Sequence, residues 1–441
     1  MFRYAPALPA LLLSLSVVAQ PAASDKKISE FVDGALPGLV TFYQELHANP
    51  EVSFMEKNTA AKIAAQLRGL GFAVTENVGG HGVVGVLKNG EGPTVLVRTD
   101  LDALPVPEQT GLPYASKVRM ADDAGNEVPV MHACGHDLHM TVFTGVARTL
   151  TQFRGDWKGT VVMIGQPAEE RSGGAIAMLQ EGLYTKFPRP DYALALHTNA
   201  TLPAGKVGYT EGPVMANVDA VDITVRGVGG HGALPHTTKD PIVLAAQIVL
   251  ALQTVVSRQT SPFDPCVVTV GSIHGGTQFN IIPDEVQLKL TLRSYTDAVR
   301  NHTIEAIRRI IKGTAEAAGV PEDRLPTIKI REPYTPSTVN DVPLTRRLTG
   351  VFTRVLGKDN VVATPPSTVG EDFSRFGREA PNVPICMYWL GAVDPKKAAE
   401  SAKAGTGLPS LHSSQFAPLP EPAIRAGIRT MSAAVMDLLK K

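Results

Sequence analysis

The chain reads as an α/β protein. Its mostly parallel sheet forms a metal-binding catalytic domain, and a ferredoxin-like α+β satellite domain is inserted into it. Three observations predict this. Apolar strands alternate with amphipathic helices up to about residue 212, the order that builds a parallel sheet with crossover helices. Residues suited to binding metal stand at the exits of successive strands, where α/β sheets gather their ligands. Beyond Gly212 the strands become half-exposed and the order turns to β-α-β-β-α-β, that of a ferredoxin-like sandwich. A length of 441 residues fits two domains better than one.

The N-terminus opens with Arg3 and an almost wholly apolar run over residues 5–19, followed by small residues at Ala19 and from Ala22 to Ser24. The run is too short to cross a bilayer and has the form of a secretory signal peptide. Residues 1–24 are therefore expected to be removed and the protein exported, to a periplasm or outside the cell. No cysteine stands at the junction to carry a lipid anchor, and no later segment reads as apolar enough to span a membrane. Lys plus Arg and Asp plus Glu balance at 42 each, with no long basic run. That balance speaks against nucleic acid or an anionic membrane surface as partner. Three cysteines are an odd number for an exported chain. If Cys134 binds metal, Cys266 and Cys386 are left as either a pair or two buried thiols.

Residues 26–70 read as helical with a turn at Asn49-Pro50, and His47 before that turn reads as structural. Strands are expected at 72–75, 83–87 and 94–98. The last delivers Asp100 and Asp102, placed to orient metal-binding histidines from behind; capping of the turn is the other reading of Asp102. Three histidines, one cysteine and Asp137 then crowd residues 131–140. Cys134 and His136 flank one glycine, so a thiolate and an imidazole converge on one side of the backbone. That is the donor set of a borderline-soft ion such as zinc. A Cys-His nucleophile pair is the rival reading, yet a catalytic thiolate needs no third donor beside it.

A helix over 141–153 and a strand over 160–165 lead into Gln166-Pro167-Ala168-Glu169-Glu170. Adjacent carboxylates at a strand end point to different sides, so one can bind metal while its neighbour faces substrate. A further strand over 191–196 ends in His197. Residues 218–225 alternate as a half-exposed strand, and residues 227–236 form a glycine-rich loop carrying His231 and His236. Asp240 and Pro241 open a helix to about residue 258. Strands at 266–273 and 285–294, a helix over 297–318 and a strand over 327–331 complete an inserted unit at 213–328. The catalytic unit is thus 25–212 with 329–441. Its second part holds the acidic loop Gly370-Glu371-Asp372-Phe373, a buried strand over 383–390, His412 in a loop and a last helix over 420–439.

These stretches together resemble the co-catalytic metal aminoacylases and carboxypeptidases, in the branch of hippurate hydrolases, indole-acetyl-amino-acid hydrolases and N-acyl-amino-acid amidohydrolases. The resemblance rests on Arg-Thr-Asp-Leu-Asp-Ala-Leu-Pro from Arg98, His-Ala-Cys-Gly-His-Asp from His132, Gln-Pro-Ala-Glu-Glu from Gln166 and Leu-His from Leu196. It continues with Gly-Gly-His-Gly-Ala-Leu-Pro-His from Gly229, Gly-Gly-Thr-Gln-Phe-Asn from Gly275, Gly-Glu-Asp-Phe from Gly370 and Leu-His-Ser from Leu411.

The resemblance implies two divalent metal ions, zinc or manganese with cobalt and nickel as alternatives, held by Cys134, His136, Glu170, His197 and His412. Asp100 and Asp137 are expected to orient those ligands from behind. Glu169 is implied as general base. His231 and Asn280 are implied as contacts to the substrate carboxylate or the reacting carbonyl, with His231 also stabilising the oxyanion. The implied reaction is hydrolysis of the amide of an N-acyl-amino acid, in a homodimer formed through the satellite domain. Two alternatives stay open. One is an exported metallo-exopeptidase trimming dipeptides or C-terminal residues. The other is a non-catalytic exported metal- or solute-binding protein, against which the Glu169-Glu170 pair counts.

Overall fold

The computed structural model describes residues 23–122 and 124–440; residues 1–22 of the expected signal peptide lie outside them. α1 (Ala23–Ala48) turns one apolar stripe inward, Ile28, Val32, Leu36, Leu39, Tyr43 and Leu46, at helical spacing. Asn49-Pro50 stops it, because the residue before proline is pushed out of the helical region. α2 (Lys57–Gly69), β1 (Ala73–Glu76), β2 (Val83–Asn89) and β3 (Thr94–Asp100) follow. The hairpin of β4 (Arg119–Ala121) and β5 (Glu127–Pro129) was not expected, since strands of three residues show no periodicity. α3 (His136–Gln152), β6 (Gly159–Gln166), α4 (Gly174–Gln180), α5 (Leu183–Lys186), β7 (Tyr192–Pro203), β8 (Val207–Tyr209) and β9 (Gly212–Met215) complete this half.

The inserted unit runs β10 (Asp219–Arg226), β11 (Gly230–His231), α6 (Pro241–Thr254), β12 (Cys266–Gly275), β13 (Ile281–Ile282), β14 (Glu285–Ser294), α7 (Asp297–Ala317) and β15 (Thr327–Ile330). The chain returns through β16 (Thr338–Asn340), α8 (Val342–Leu356), β17 (Val361–Ala363), α9 (Ser374–Arg378), β18 (Ile385–Val393), α10 (Pro395–Ala404) and α11 (Pro420–Leu438).

The large sheet has the order β1-β2-β6-β3-β7-β18-β8-β17. Its centre, β6-β3-β7-β18, is parallel, and antiparallel pairs flank it. Successive side chains of a strand serve opposite faces. In β3, Val95 and Val97 join the core under α1, α3 and α11, while Leu96 joins the one under α4, α5 and α9. The inserted sheet has the order β12-β14-β10-β15, and α6 and α7 cover one face. β14 alternates accordingly: Val286, Leu288, Leu290 and Leu292 are buried, and the residues between them are not. This is the ferredoxin-like arrangement expected.

One expectation needs correcting. The segment Pro241–Gln259 is long and apolar enough to cross a membrane by composition. In the fold it buries Leu244, Ala245, Ile248 and Leu252 against the satellite sheet. Of the two readings open for Cys266 and Cys386, the structure has unpaired thiols, Cys386 buried and Cys266 half-buried; each lies beside a threonine, Thr303 for Cys266 and Thr345 for Cys386.

Candidate metal centre

Register sets the site. Val97 lies opposite Met163 on one side and Leu194 on the other, and Asp100 opposite Gln166. Three residues past Leu194, His197 comes level with Asp100 at the same end of the sheet. His197 does not mark a strand exit as expected, because β7 runs on to Pro203 beside β18.

α3 starts at His136, five residues earlier than expected, and Gly135 is the reason. Its φ is +82°, a left-handed turn that swings the chain from loop into helix. A β-carbon there would stand 2.7 Å from Thr198 Oγ1, and that hydroxyl donates to the Cys134 carbonyl at 2.6 Å. The glycine thus lets β7 close on the cysteine loop.

The five expected ligands meet. Cys134 Sγ is 3.5 Å from His197 Nε2. Glu170 Oε1 is 3.4 Å from His412 Nε2 and 3.9 Å from His136 Nε2. The donor atoms of Cys134, His136 and His197 lie within 4.8 Å of one another, as do those of Cys134, Glu170 and His412. His412 is held by its main-chain N–H, which donates to the Ala133 carbonyl at 2.9 Å. Each buried imidazole is oriented through its other nitrogen: His136 Nδ1 donates to the Asp102 carbonyl (2.8 Å) and His197 Nδ1 to that of Thr198 (2.9 Å). This leaves both Nε2 atoms facing the centre.

Whether these groups fit cations is answered by what they lack. His136 Nε2, Glu170 Oε1 and Asp102 Oδ1 are buried without a hydrogen-bond partner, which is costly unless something else satisfies them. Asp100, Asp102, Glu169, Glu371 and Asp372 are buried, yet Arg98 is the only lysine or arginine buried among them. Burial and the carboxylates of Glu170, Glu169 and Asp100 hold the Cys134 thiol well above its usual range; a divalent ion reverses that balance. Two ligands of one tetrahedral zinc, bonded at about 2.0–2.3 Å, stand roughly 3.3–3.6 Å apart, and the Cys134–His197 separation matches. The residues fit.

Asp100 does not stand behind a ligand: its Oδ1 accepts from His139 Nδ1 (2.7 Å), its Oδ2 accepts from Arg98 (2.7 Å), and Oδ2 lies 3.6 Å from His136 Nε2, the nitrogen that faces the centre. Asp137 orients no ligand either. One step along α3 turns it about 100° away from His136, and its Oδ2 accepts from His47 Nδ1 at 2.6 Å instead. His139, on the His136 face at i+3, is the residue of this turn that packs against the ligands, its ring centroid 5.3 Å from that of His136 and 4.8 Å from that of His197.

His47 holds the structural place expected of it, bridging two carboxylates, since its Nε2 also meets Glu108 at 3.0 Å. Burial draws its pKa down, but bonding to Asp137 and Glu108 outweighs that and raises it to about 10, above the ordinary 6.5. Burial raises Asp137, and His47 more than offsets it, leaving it below its ordinary 3.8. The stabilisation from His47 is therefore complete below pH 6.5 and is lost as pH climbs toward 10; that from Asp137 is lost only in acid. Urea unfolding across this window should show stability falling by up to about 1.4 kcal/mol per pH unit. His47→Gln should flatten the slope, and an unchanged slope would reject the ion pair.

His231 and Asn280 are brought together, as the Gly232 N–H donates to the Asn280 carbonyl at 2.8 Å. Both are exposed, His231 on β11 and Asn280 just before β13, its antiparallel partner strand. Neither lines the cavity of about 420 Å³ around Cys134, Glu169, Glu170, His197 and His412. The satellite residues that do are Val218 and Arg293. Arg293 went unnoticed; the available signal was an arginine on the uncovered face of β14, one residue from its end.

A spare buried carboxylate against two overlapping donor sets is what metal-assisted hydrolysis requires, and that class of enzyme is what fold and site define. Comparison places the chain within it: it belongs to peptidase family M20/M25/M40, whose sequence model matches residues 96–405. It is 36% identical over 363 residues to thermostable carboxypeptidase 1 of Saccharolobus solfataricus, covering 81% of this chain and 87% of that one. It is 37% identical over 335 residues to the hippurate hydrolase of Campylobacter jejuni, covering 75% and 83%. A dinuclear metal-binding peptidase of Bacillus subtilis superimposes with a TM-score of 0.75 at 30% identity, over 92% of this chain and 99% of that one. The chain is a metal-dependent amidohydrolase or peptidase, and its cofactor is a pair of divalent metal ions.

Proposed function

We propose that the enzyme hydrolyses the amide bond of N-acyl-amino acids, with Cys134, His136, Glu170, His197 and His412 holding the ions and Glu169 as base. The observation that carries this is the single cavity in which the metal-binding groups and Glu169 share walls with Arg293. A guanidinium there suits a free carboxylate, and the amide beside that carboxylate then lies over the metal-binding groups. When bound, the two ions supply Lewis-acid polarisation and acidify a water. Glu169 takes a proton from that water as its oxygen attacks the carbonyl carbon. It passes the proton to the amide nitrogen as the C–N bond breaks, giving a carboxylic acid and a free amino acid. Burial and the neighbouring Glu371, Glu170 and Asp372 raise the proton affinity of Glu169, opposed by Arg98.

A panel of N-acyl-amino acids beside dipeptides tests this. Acyl substrates should be turned over at least tenfold better in kcat/KM, with activity lost to a chelator and restored by zinc or manganese. Preference for dipeptides would favour the exopeptidase reading, and no turnover of either would favour a binding protein. Arg293→Met should raise KM at least tenfold for an N-acyl-amino acid and erase its advantage over the matching N-acyl-amine.

The same proposal places His231 and Asn280 in a neighbouring subunit's site. Its support is the uncovered face of α6, where Leu250 is 73% exposed, the open edge of β12, and Phe279 beside Asn280 at 99% exposure. Light scattering should report a dimer, with Leu250→Glu giving an inactive monomer; a fully active monomer would reject it. Export rests on the N-terminal segment alone. N-terminal sequencing of the protein from periplasm or medium tests it, and an intact Met1 on cytoplasmic protein would overturn it.

A further inference from the structure

Glu170 lines a second cavity, of about 370 Å³, and is the one residue this cavity shares with the Arg293 cavity. Its wall is mostly apolar, drawn from Val52, Phe54 and Met55 between α1 and α2, Leu104 and Pro105 after β3, and Val128 of the β4–β5 hairpin, with Ser53, Asp122 and Arg171 as its other polar residues. Phe54 and Met55 are 50% and 44% exposed, two large apolar side chains left uncovered beside a metal ligand.

Their backbone is held in place against its own preference. Phe54 has φ +66°, a left-handed conformation that its β-carbon disfavours. Two buried carboxylates keep it there. Glu56 Oε1 accepts the N–H of Phe54 (2.9 Å) and of Ala168 (2.7 Å). Asp102 Oδ2 accepts the hydroxyl of Ser53 (2.6 Å) and the N–H of Glu170 (3.0 Å). The segment is thus tied to the residues on both sides of Glu169, Ala168 and Glu170. Gly173 completes the fit, since a β-carbon there would stand 2.7 Å from Phe54 Cζ. Five described non-glycine residues have positive φ, and Phe54, Ser172 and His412 among them line the two cavities. Backbone strain concentrated in this way marks functional surfaces.

We propose that this cavity receives the acyl group, and that Phe54 and Met55 make the enzyme prefer bulky apolar acyl groups to acetyl. The inference rests on the N-acyl-amino-acid reading. The carboxylate end of such a substrate belongs with Arg293, so the apolar end takes the apolar cavity that begins at Glu170. The space equals that of about a dozen water molecules at ~30 Å³ each, room for an aromatic or long aliphatic chain and far more than a methyl group fills.

The test compares N-octanoyl-, N-benzoyl- and N-acetyl- derivatives of one amino acid on the metal-loaded enzyme. The quantity read is the ratio of kcat/KM for the bulky substrates to that for acetyl. Phe54→Asn keeps a residue tolerant of positive φ while removing the ring; Val128→Trp fills the cavity from the opposite wall. Each should cut the ratio at least tenfold, mainly through KM for the bulky substrates. Binding of octanoate, measured by calorimetry, should weaken in parallel. A ratio unchanged within twofold in both variants, or a wild-type enzyme that prefers acetyl, overturns the assignment while leaving the amidohydrolase reading intact. If no N-acyl-amino acid is hydrolysed at all, both fall together.

Discussion

Glu169→Gln is expected to lower kcat by about 10²- to 10⁴-fold, the range for loss of a general base, while both metal ions remain bound. Glu169 is buried, and its Oε2 lies 4.0 Å from His136 Nε2, slightly farther than the nearest oxygen of Glu170 at 3.9 Å. Those distances alone do not separate base from ligand. The separation comes from His412, which approaches Glu170 and not Glu169 in the donor groupings. Glutamine keeps the size of glutamate and gives up proton transfer, so metal content measured on the purified variant discriminates. Metal loss equal to that of Glu170→Gln would make Glu169 a ligand.

The second large effect is on stability. Arg98 Nη1 donates to Asp100 (2.7 Å), Nη2 to Glu371 (2.8 Å), and Nε to the side-chain Oε1 of Gln166 (3.0 Å), all buried. Gln166 in turn donates to Asp372 at 2.6 Å. Burial works against charge on Arg98, and the surrounding Glu371, Asp100 and Asp372 overcome it. Arg98→Met leaves those carboxylates without their cation, and removing one partner of a buried ion cluster costs about 3–5 kcal/mol. Arg98→Lys should recover only part of this, since an ammonium carries its three donors on one nitrogen and lacks the spread planar fork that reaches Asp100, Glu371 and Gln166 together. Urea unfolding of the two variants checks it; a loss under about 1 kcal/mol for Arg98→Met would mean that the carboxylates are balanced by something else.

Much of the site was legible in the chain because its residues follow local rules. Glu169 and Glu170 stand directly after an apolar strand, and Cys134 and His136 flank a glycine that proved to need φ +82°. What was misread follows from geometry that no local pattern carries. Asp137 and His139 differ by two helical positions, and only the packing of α3 against β3 and β7 selects the histidine. His47 finds Asp137 across 90 residues of chain. Arg293 belongs to another sheet altogether. Phe54 carries no local signal, and only the hydrogen bonds of Glu56 show that its backbone is held.

The sequence by itself determined the alternation of strands and helices in the α/β core, the donors that follow the core's strands and the ferredoxin-like order of the inserted unit. Periodicity and strand-end placement are properties of short segments. The tertiary structure alone decided which neighbour orients which ligand, that Arg293 rather than His231 faces the centre within one chain, and where an apolar cavity meets Glu170. Those outcomes depend on how helices rotate and sheets approach one another, and a side chain's surroundings are then set by residues far away in the chain.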